Sequence, residues 1–193
     1  MTMIRNLAAT VQGFTSNVFL VTGERTALVD AGNDFDVVSA VHEHADGLDA
    51  LVLTHTHSDH VGNLPDVVEA FDVDVWGYDT GQEGVDHPLT EGESVQLGDD
   101  SYEIIHTPGH KNDHVCLYAP GPGVLFAGDL VFANGGFGRT DLAEGDRELL
   151  VDSIQRLLER VEALDGMHTG HGPSVDRNPR QHVERALQAA QMR

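Results

Sequence analysis

Leu51-Val52-Leu53-Thr54-His55-Thr56-His57-Ser58-Asp59-His60 is the stretch on which the reading of this chain turns. Its first three residues form a short apolar run, the signature of a buried strand. That strand delivers three histidines and an aspartate, within six positions, into the loop that follows. Side chains two apart on an extended backbone point the same way, so His55 and His57 can grip one ion. Asp59 and His60 lie past them in a turn, aimed toward a neighbouring ion. A lone histidine is ordinarily structural, but imidazole and carboxylate at this density are metal-binding chemistry.

Three further candidates lie downstream. His110 follows Thr107-Pro108-Gly109, Asp129 follows Gly128 at the end of an apolar run, and His171 sits between Gly170 and Gly172. Glycine beside a ligand lets the backbone turn tightly and approach an ion closely. Together these residues supply a two-metal site: His55, His57 and His110 for one ion, Asp59, His60 and His171 for the other, and Asp129 as the bridge. None of the other seven histidines is assigned to metal. His42, His44 and His182 fall in expected helices and read as solvated surface positions, and His87 reads as a loop residue before proline. His106 and His114 flank the His110 loop and read as structural before a role supporting a ligand or facing substrate, and His168 lies just upstream of His171.

Around these motifs the sequence alternates strands and helices. Strands are expected at Val18 to Thr22, Ala27 to Val29, Leu51 to Leu53, Val73 to Trp76, Tyr102 to Ile105, His114 to Tyr118 and Val124 to Ala127. Helices are expected over Asp36 to Ala45, after Pro65, and along the apolar spacing of Leu150, Ile154, Leu157, Leu158, Val161 and Leu164. A last helix follows Asn178-Pro179, with Asn178 as N-cap and Gln181 in capping-box position. Leu28 to Gly32 and Leu125 to Asp129 echo each other, each running a buried strand into a glycine and an aspartate. Two β-rich halves covered by helices, an α/β/β/α sandwich of four layers, satisfy this pattern.

At 193 residues the chain reads as one domain spanning 1–193. Met1 to Thr10 has no apolar signal-peptide core, and no stretch approaches the ~20 apolar residues of a membrane span. The expectation is a cytoplasmic protein with no membrane partner. Cys116, the only cysteine, excludes a thiolate-rich metal site and reads as a buried structural thiol. Against 32 acidic residues stand 11 basic ones, a formal net charge of −21, and Lys111 is the only lysine. That balance points to a high-salt, halophilic cytosol, because at molar salt the Debye length falls to ~3 Å and carboxylates no longer repel across the surface.

The motifs resemble those of the metallo-β-lactamase superfamily, and within it the glyoxalase II group. His55-Thr56-His57-Ser58-Asp59-His60 matches that family's HxHxDH, Thr107-Pro108-Gly109-His110 its TPGH, Gly128-Asp129 its bridging aspartate, and Gly170-His171-Gly172 its last histidine. Gly138-Arg139-Thr140-Asp141 is similar to the GRxD loop of the short, single-domain, hydroxyacylglutathione hydrolase-like type. The resemblance implies two Zn²⁺ ions, or a mixed Zn/Fe pair, and attack of a metal-bridging hydroxide on an acyl-thioester, with Asp59 both ligand and orienter of the nucleophile. Asp30, at a strand end, is placed to support a ligand histidine, and Arg139 and Lys111 to contact substrate or support the site. Longer members hold glutathione with a C-terminal helical domain beyond this chain's length, and Lys111-Asn112-Asp113-His114 follows TPGH where threonine and glycine are usual. The acyl group and thiol carrier stay open.

Two rivals share these motifs. A persulfide dioxygenase of the same fold would use one Fe(II) on His55, His110 and Asp129. A phosphodiesterase or nuclease would need a phosphate-binding surface, and only Lys111 and Arg139 lie near the motifs, which argues against a nucleic-acid partner.

Overall fold

The computed structural model describes residues 1–192, which fold as two compact units. The first comprises Met1–Leu89 with Val95–Ser101, the second Thr90–Ser94 with the residues from Tyr102 on.

The first unit is built on six strands paired in chain order: β1 (Met3–Asn6), β2 (Phe19–Thr22), β3 (Ala27–Val29), β4 (Ala50–Val52), β5 (Val75–Gly77) and β6 (His87–Pro88). The first three pair antiparallel, and β3 to β6 pair parallel. Parallel neighbours need crossovers, and helices supply those from β3 to β4 and from β4 to β5. Between β3 and β4 runs α1 (Val37–His42), and between β4 and β5 run α2 (Ser58–Val61) and α3 (Leu64–Phe71). Asp36 opens α1 by accepting the Ser39 N–H, and Pro65 sits in the first turn of α3. All residues of β3 and β4 are buried, so these strands read as continuous apolar runs without alternation. Leu20, Leu28, Leu51, Leu53, Val67 and Val75 share one apolar cluster.

The second sheet has the order β11-β10-β9-β8-β7. Its strands are β7 (Ser94–Leu97), β8 (Asp100–His106), β9 (Val115–Ala119), β10 (Val124–Gly128) and β11 (Gly166–Thr169); the chain changes unit within β7 and β8. In the second unit β8, β9 and β10 are antiparallel neighbours, and β11 lies parallel to β10 across a connection that carries α4 (Arg147–Arg160). The last helix is α5 (Pro179–Gln191). Leu150, Ile154 and Leu157 of α4 and Val183, Ala186 and Ala190 of α5 form one core with Leu125, Ala127 and Met167. Cys116 lies in that core on β9, where burial pushes its thiol up to about 12.

Several expectations need correction. The helix expected to reach Leu164 ends at Arg160, and Val161 is already extended, at φ −89 and ψ 98. Val161 stays buried and Leu164 still packs on the core, so apolar spacing outlasted helical backbone. Asn178 makes no side-chain cap; it is left-handed, at φ 50 and ψ 47, and turns the chain into α5. His87 lies in β6, and His44 lies beyond α1. The turn expected at Asp59 and His60 is the helical turn α2. β1, β6, β7 and β11 are not among the strands expected from sequence; they carry few consecutive apolar residues, as Met3-Ile4-Arg5-Asn6, His87-Pro88, Ser94-Val95-Gln96-Leu97 and Gly166-Met167-His168-Thr169. Among the described residues no helix is long and apolar enough to cross a membrane.

Candidate metal centre

In the first unit four candidate ligands leave the end of β4 together. His57 is extended, at φ −70 and ψ 149, as the alternation argument requires. His55 and His57 bring ring nitrogens within 4.8 Å of each other, as do His55 and His60, and Asp59 offers a carboxylate oxygen at the same range from His60. His55 and His60 are buried, and Asp59 nearly so.

One carboxylate organises this cluster. Asp30 follows β3 at φ 59, a left-handed conformation costly for a residue with a Cβ, and it is buried. Its Oδ1 accepts the Thr54 N–H at 2.7 Å, and its Oδ2 accepts both the Thr54 hydroxyl and His60 Nδ1, each at 2.8 Å. These contacts fix protons. Because the Thr54 hydroxyl spends its one hydrogen on Asp30, the 3.2 Å contact to His55 Nδ1 must run from the imidazole to the Thr54 oxygen. Both His55 and His60 thus carry their proton on Nδ1 and keep a lone pair on Nε2, the tautomer a metal accepts. The backbone is stitched to match: the Ala31 and Gly32 amides donate to His60 O at 2.8 and 3.0 Å.

In the second unit the candidates are far apart in sequence, and the sheet gathers them. His110 precedes β9, Asp129 follows β10 and His171 follows β11. Antiparallel pairing puts the start of β9 beside the end of β10, and parallel pairing puts the end of β11 there too. Asp129 Oδ2 consequently lies 3.5 Å from His110 Nε2 and 3.4 Å from His171 Nε2. His110 Nδ1 donates to the Arg139 carbonyl at 2.8 Å, which again leaves the lone pair on Nε2. Two glycines permit this approach. A Cβ on Gly138 would fall 2.0 Å from Asp129 O and 3.0 Å from the His110 ring, and Gly109, at φ +128, lies where a Cβ would meet the Leu150 amide at 2.2 Å.

The supporting residues are placed as follows. Arg139 spends its guanidinium on a two-toothed pair with Asp141, both exposed, and holds that carboxyl down at about 2; its link to His110 is through its backbone. Lys111 is buried, with its ammonium 3.0 Å from Glu144 and 3.4 Å from Asp113. Both cations near the motifs are therefore committed to carboxylates. His114, for which the sequence leaves a structural or a supporting role open, is buried, and its Nε2 accepts the Asp129 N–H at 2.9 Å. Thr54, Thr107 and Glu144 were not singled out from sequence, and only their adjacency to ligands could have flagged them. In each unit the imidazoles and carboxylate suit a divalent ion that takes nitrogen and oxygen, such as zinc or iron.

A family model described as the metallo-beta-lactamase superfamily matches residues 11–177. The chain belongs to that superfamily, and the matched segment contains all seven candidate ligands. Over 187 residues it is 30% identical to hydroxyacylglutathione hydrolase GloC of Haemophilus influenzae, covering 84% of this chain and 88% of that protein. Over 132 residues it is 36% identical to a hydroxyacylglutathione hydrolase of Aliivibrio fischeri, covering 67% of this chain; the chain spans about half of that longer relative, 50%. Among solved structures, TTHA1623 in a di-iron-bound form superposes with a TM-score of 0.74 at 31% identity, covering 94% of this chain and 96% of that one. The fold class read from the sequence, α/β of the metallo-β-lactamase type, is the one found.

Proposed function

We propose that this protein is a binuclear metal-dependent hydrolase that cleaves acyl-thioesters of a small thiol, in the manner of glyoxalase II. The observation that carries the proposal is the match to GloC, a hydroxyacylglutathione hydrolase of similar length that aligns along most of both chains. In this reading His55, His57 and His110 hold one ion, Asp59, His60 and His171 the other, and Asp129 is shared. When bound, the ions, two Zn²⁺ or a Zn/Fe pair, would polarise the thioester carbonyl and lower the pKa of a water toward ~7.

The rest falls to the chain. Asp30 and the Arg139 carbonyl keep His55, His60 and His110 with Nε2 lone pairs, so ligation needs no proton shift. Asp59 orients the attacking water as well as ligating. A thiolate leaves readily at neutral pH, so the mechanism requires no general acid. With Lys111 and Arg139 bound to carboxylates, a phosphodiester substrate is disfavoured. The same reading puts the protein in a high-salt cytoplasm, on the strength of its net charge of −21.

The test is metal analysis of protein purified in high salt, followed by assay on hydroxyacyl-glutathione and acyl-thioesters of other small thiols. Two ions per chain and hydrolysis abolished by chelation are expected. One iron per chain, with oxygen uptake on a persulfide and no thioester cleavage, would overturn the proposal in favour of a dioxygenase.

A further inference from the structure

We infer that His114 is a positioning residue: it holds Asp129 in its ligating orientation through the Asp129 amide, and so sets how well the shared carboxylate retains metal. This rests on the reading of Asp129 as a metal carboxylate, and it is independent of which substrate is cleaved.

The Asp129 amide occupies an awkward place. β10 ends at Gly128, which is left-handed at φ +48, and its register with β11 shifts between Phe126 and Gly128. The chain turns sharply there, with Leu130 N–H donating to Ala127 O at 3.1 Å and Gly170 N–H to Gly128 O at 2.7 Å. The Asp129 N–H leaves the strand ladder at this irregularity. It donates instead to His114 Nε2 at 2.9 Å, inside the protein, where His114 is 0% exposed.

That bond fixes the ring. A nitrogen that accepts an amide proton carries none of its own, so His114 is neutral and protonated on Nδ1, which donates to the Thr107 hydroxyl at 2.8 Å. The Thr107 oxygen passes its hydrogen on toward Cys116 Sγ, 3.5 Å away, and the Thr107 N–H donates back to His114 O at 2.8 Å. His114 is therefore held by Thr107 of the TPGH loop, which is itself tied to Cys116 of β9, and presents Nε2 to the Asp129 amide. On the far side of that amide the Asp129 carboxylate faces His110 and His171 at 3.5 and 3.4 Å. Rotation about the Gly128–Asp129 turn would swing the carboxylate away from both; the Leu130 and Gly170 amides hold the turn on either side of Asp129, and the His114 bond holds the Asp129 amide itself.

The experiment compares wild type with His114→Leu, which keeps bulk but offers no acceptor, and His114→Gln, whose amide oxygen can replace Nε2. Zn²⁺ is titrated into metal-free protein against a competing chelator. Supporting hydrogen bonds around metal ligands are worth about 10–100-fold in metal affinity. The Leu variant should weaken retention of zinc by that factor, and the Gln variant should recover most of it. Zinc retention unchanged in the Leu variant, or lowered equally in both, would overturn the inference. In metal-free wild type, long-range proton–nitrogen NMR should find the His114 proton on Nδ1 and the Asp129 amide slow to exchange; a proton on Nε2 would overturn it regardless of how the variants fold. If wild type binds zinc with this pattern yet cleaves no thioester, the proposed function fails and the role of His114 stands.

Discussion

The two units reach metal-ligating chemistry by opposite routes. In the first unit the candidate ligands lie close together, His55 to His60, and two of them share one support, since Asp30 fixes Thr54, His60 and, through Thr54, His55. In the second unit the candidate ligands span His110 to His171, and each has a support of its own: the Arg139 carbonyl for His110, His114 for the Asp129 amide, and the Phe132 ring, centred 6.1 Å from that of His171. The echo between Leu28–Gly32 and Leu125–Asp129 makes the contrast sharper. Asp30, directly after β3, is itself left-handed, whereas β10 ends on a left-handed Gly128 and the aspartate comes one position later. A shift of one residue separates a carboxylate that holds histidines from behind from one that faces them in front. A local motif can rest on one buried acceptor, but a dispersed site must be supported ligand by ligand.

That comparison can be broken by substitution. Asp129→Ala should have the largest effect, because it removes the one group facing two histidines. Zinc content should fall below two per chain, and thioesterase activity should drop by more than the 10–100-fold expected for a supporting contact. Two tightly held ions and full activity would end the bridging assignment. Asp30→Asn should come next, since asparagine tolerates the left-handed backbone but withdraws the charge from two histidines at once. Metal affinity should fall by about 10–100-fold, and chelator competition should show the loss at both His55 and His60, visible as shifts of both imidazoles by NMR. If only His60 responds, the first unit does not share a support.

Lys111→Met tests the second unit's distributed design. Its removal leaves the buried Asp113 without its cation and unties Glu144, in the loop that also carries the Arg139 carbonyl, from the segment that follows His110. Loss of one partner of a buried pair costs about 3 kcal/mol, to be read from denaturant unfolding, with metal affinity changing less than in Asp30→Asn. Arg139→Ala should do least. Arg139 lowers the Asp141 carboxyl to about 2, so any stabilisation is present above the ordinary carboxylate range and lost as pH falls through about 2. Because the pair is exposed and His110 uses the Arg139 backbone, neither the unfolding midpoint at pH 7 nor zinc affinity should move. A large loss of activity with unchanged metal binding would instead place Arg139 at the substrate.

The legibility of the fold followed the same division. β3 and β4 could be read because full burial of parallel strands leaves unbroken apolar runs, and α1, α3 and α4 because their caps and spacings are local. The end of α4 was misjudged because Val161 remains buried after the backbone has ceased to be helical. Asn178 was misjudged for a related reason: its type suits a cap, but the chain uses its tolerance of left-handed backbone instead.

By itself the sequence determined the residue types on which metal chemistry depends, the spacing that turns His55 and His57 to one side, and the superfamily, all of which are short-range properties of the chain. Tertiary structure decided which proton sits on which nitrogen. The tautomers of His55, His60, His110 and His114 are set by acceptors or donors that include Asp30, Arg139 O and the Asp129 amide, residues 15 to 30 positions away from the histidine they serve directly. Hydrogen bonds at that separation exist only once strands have paired, so a sequence can name its ligands before it can show how they are held.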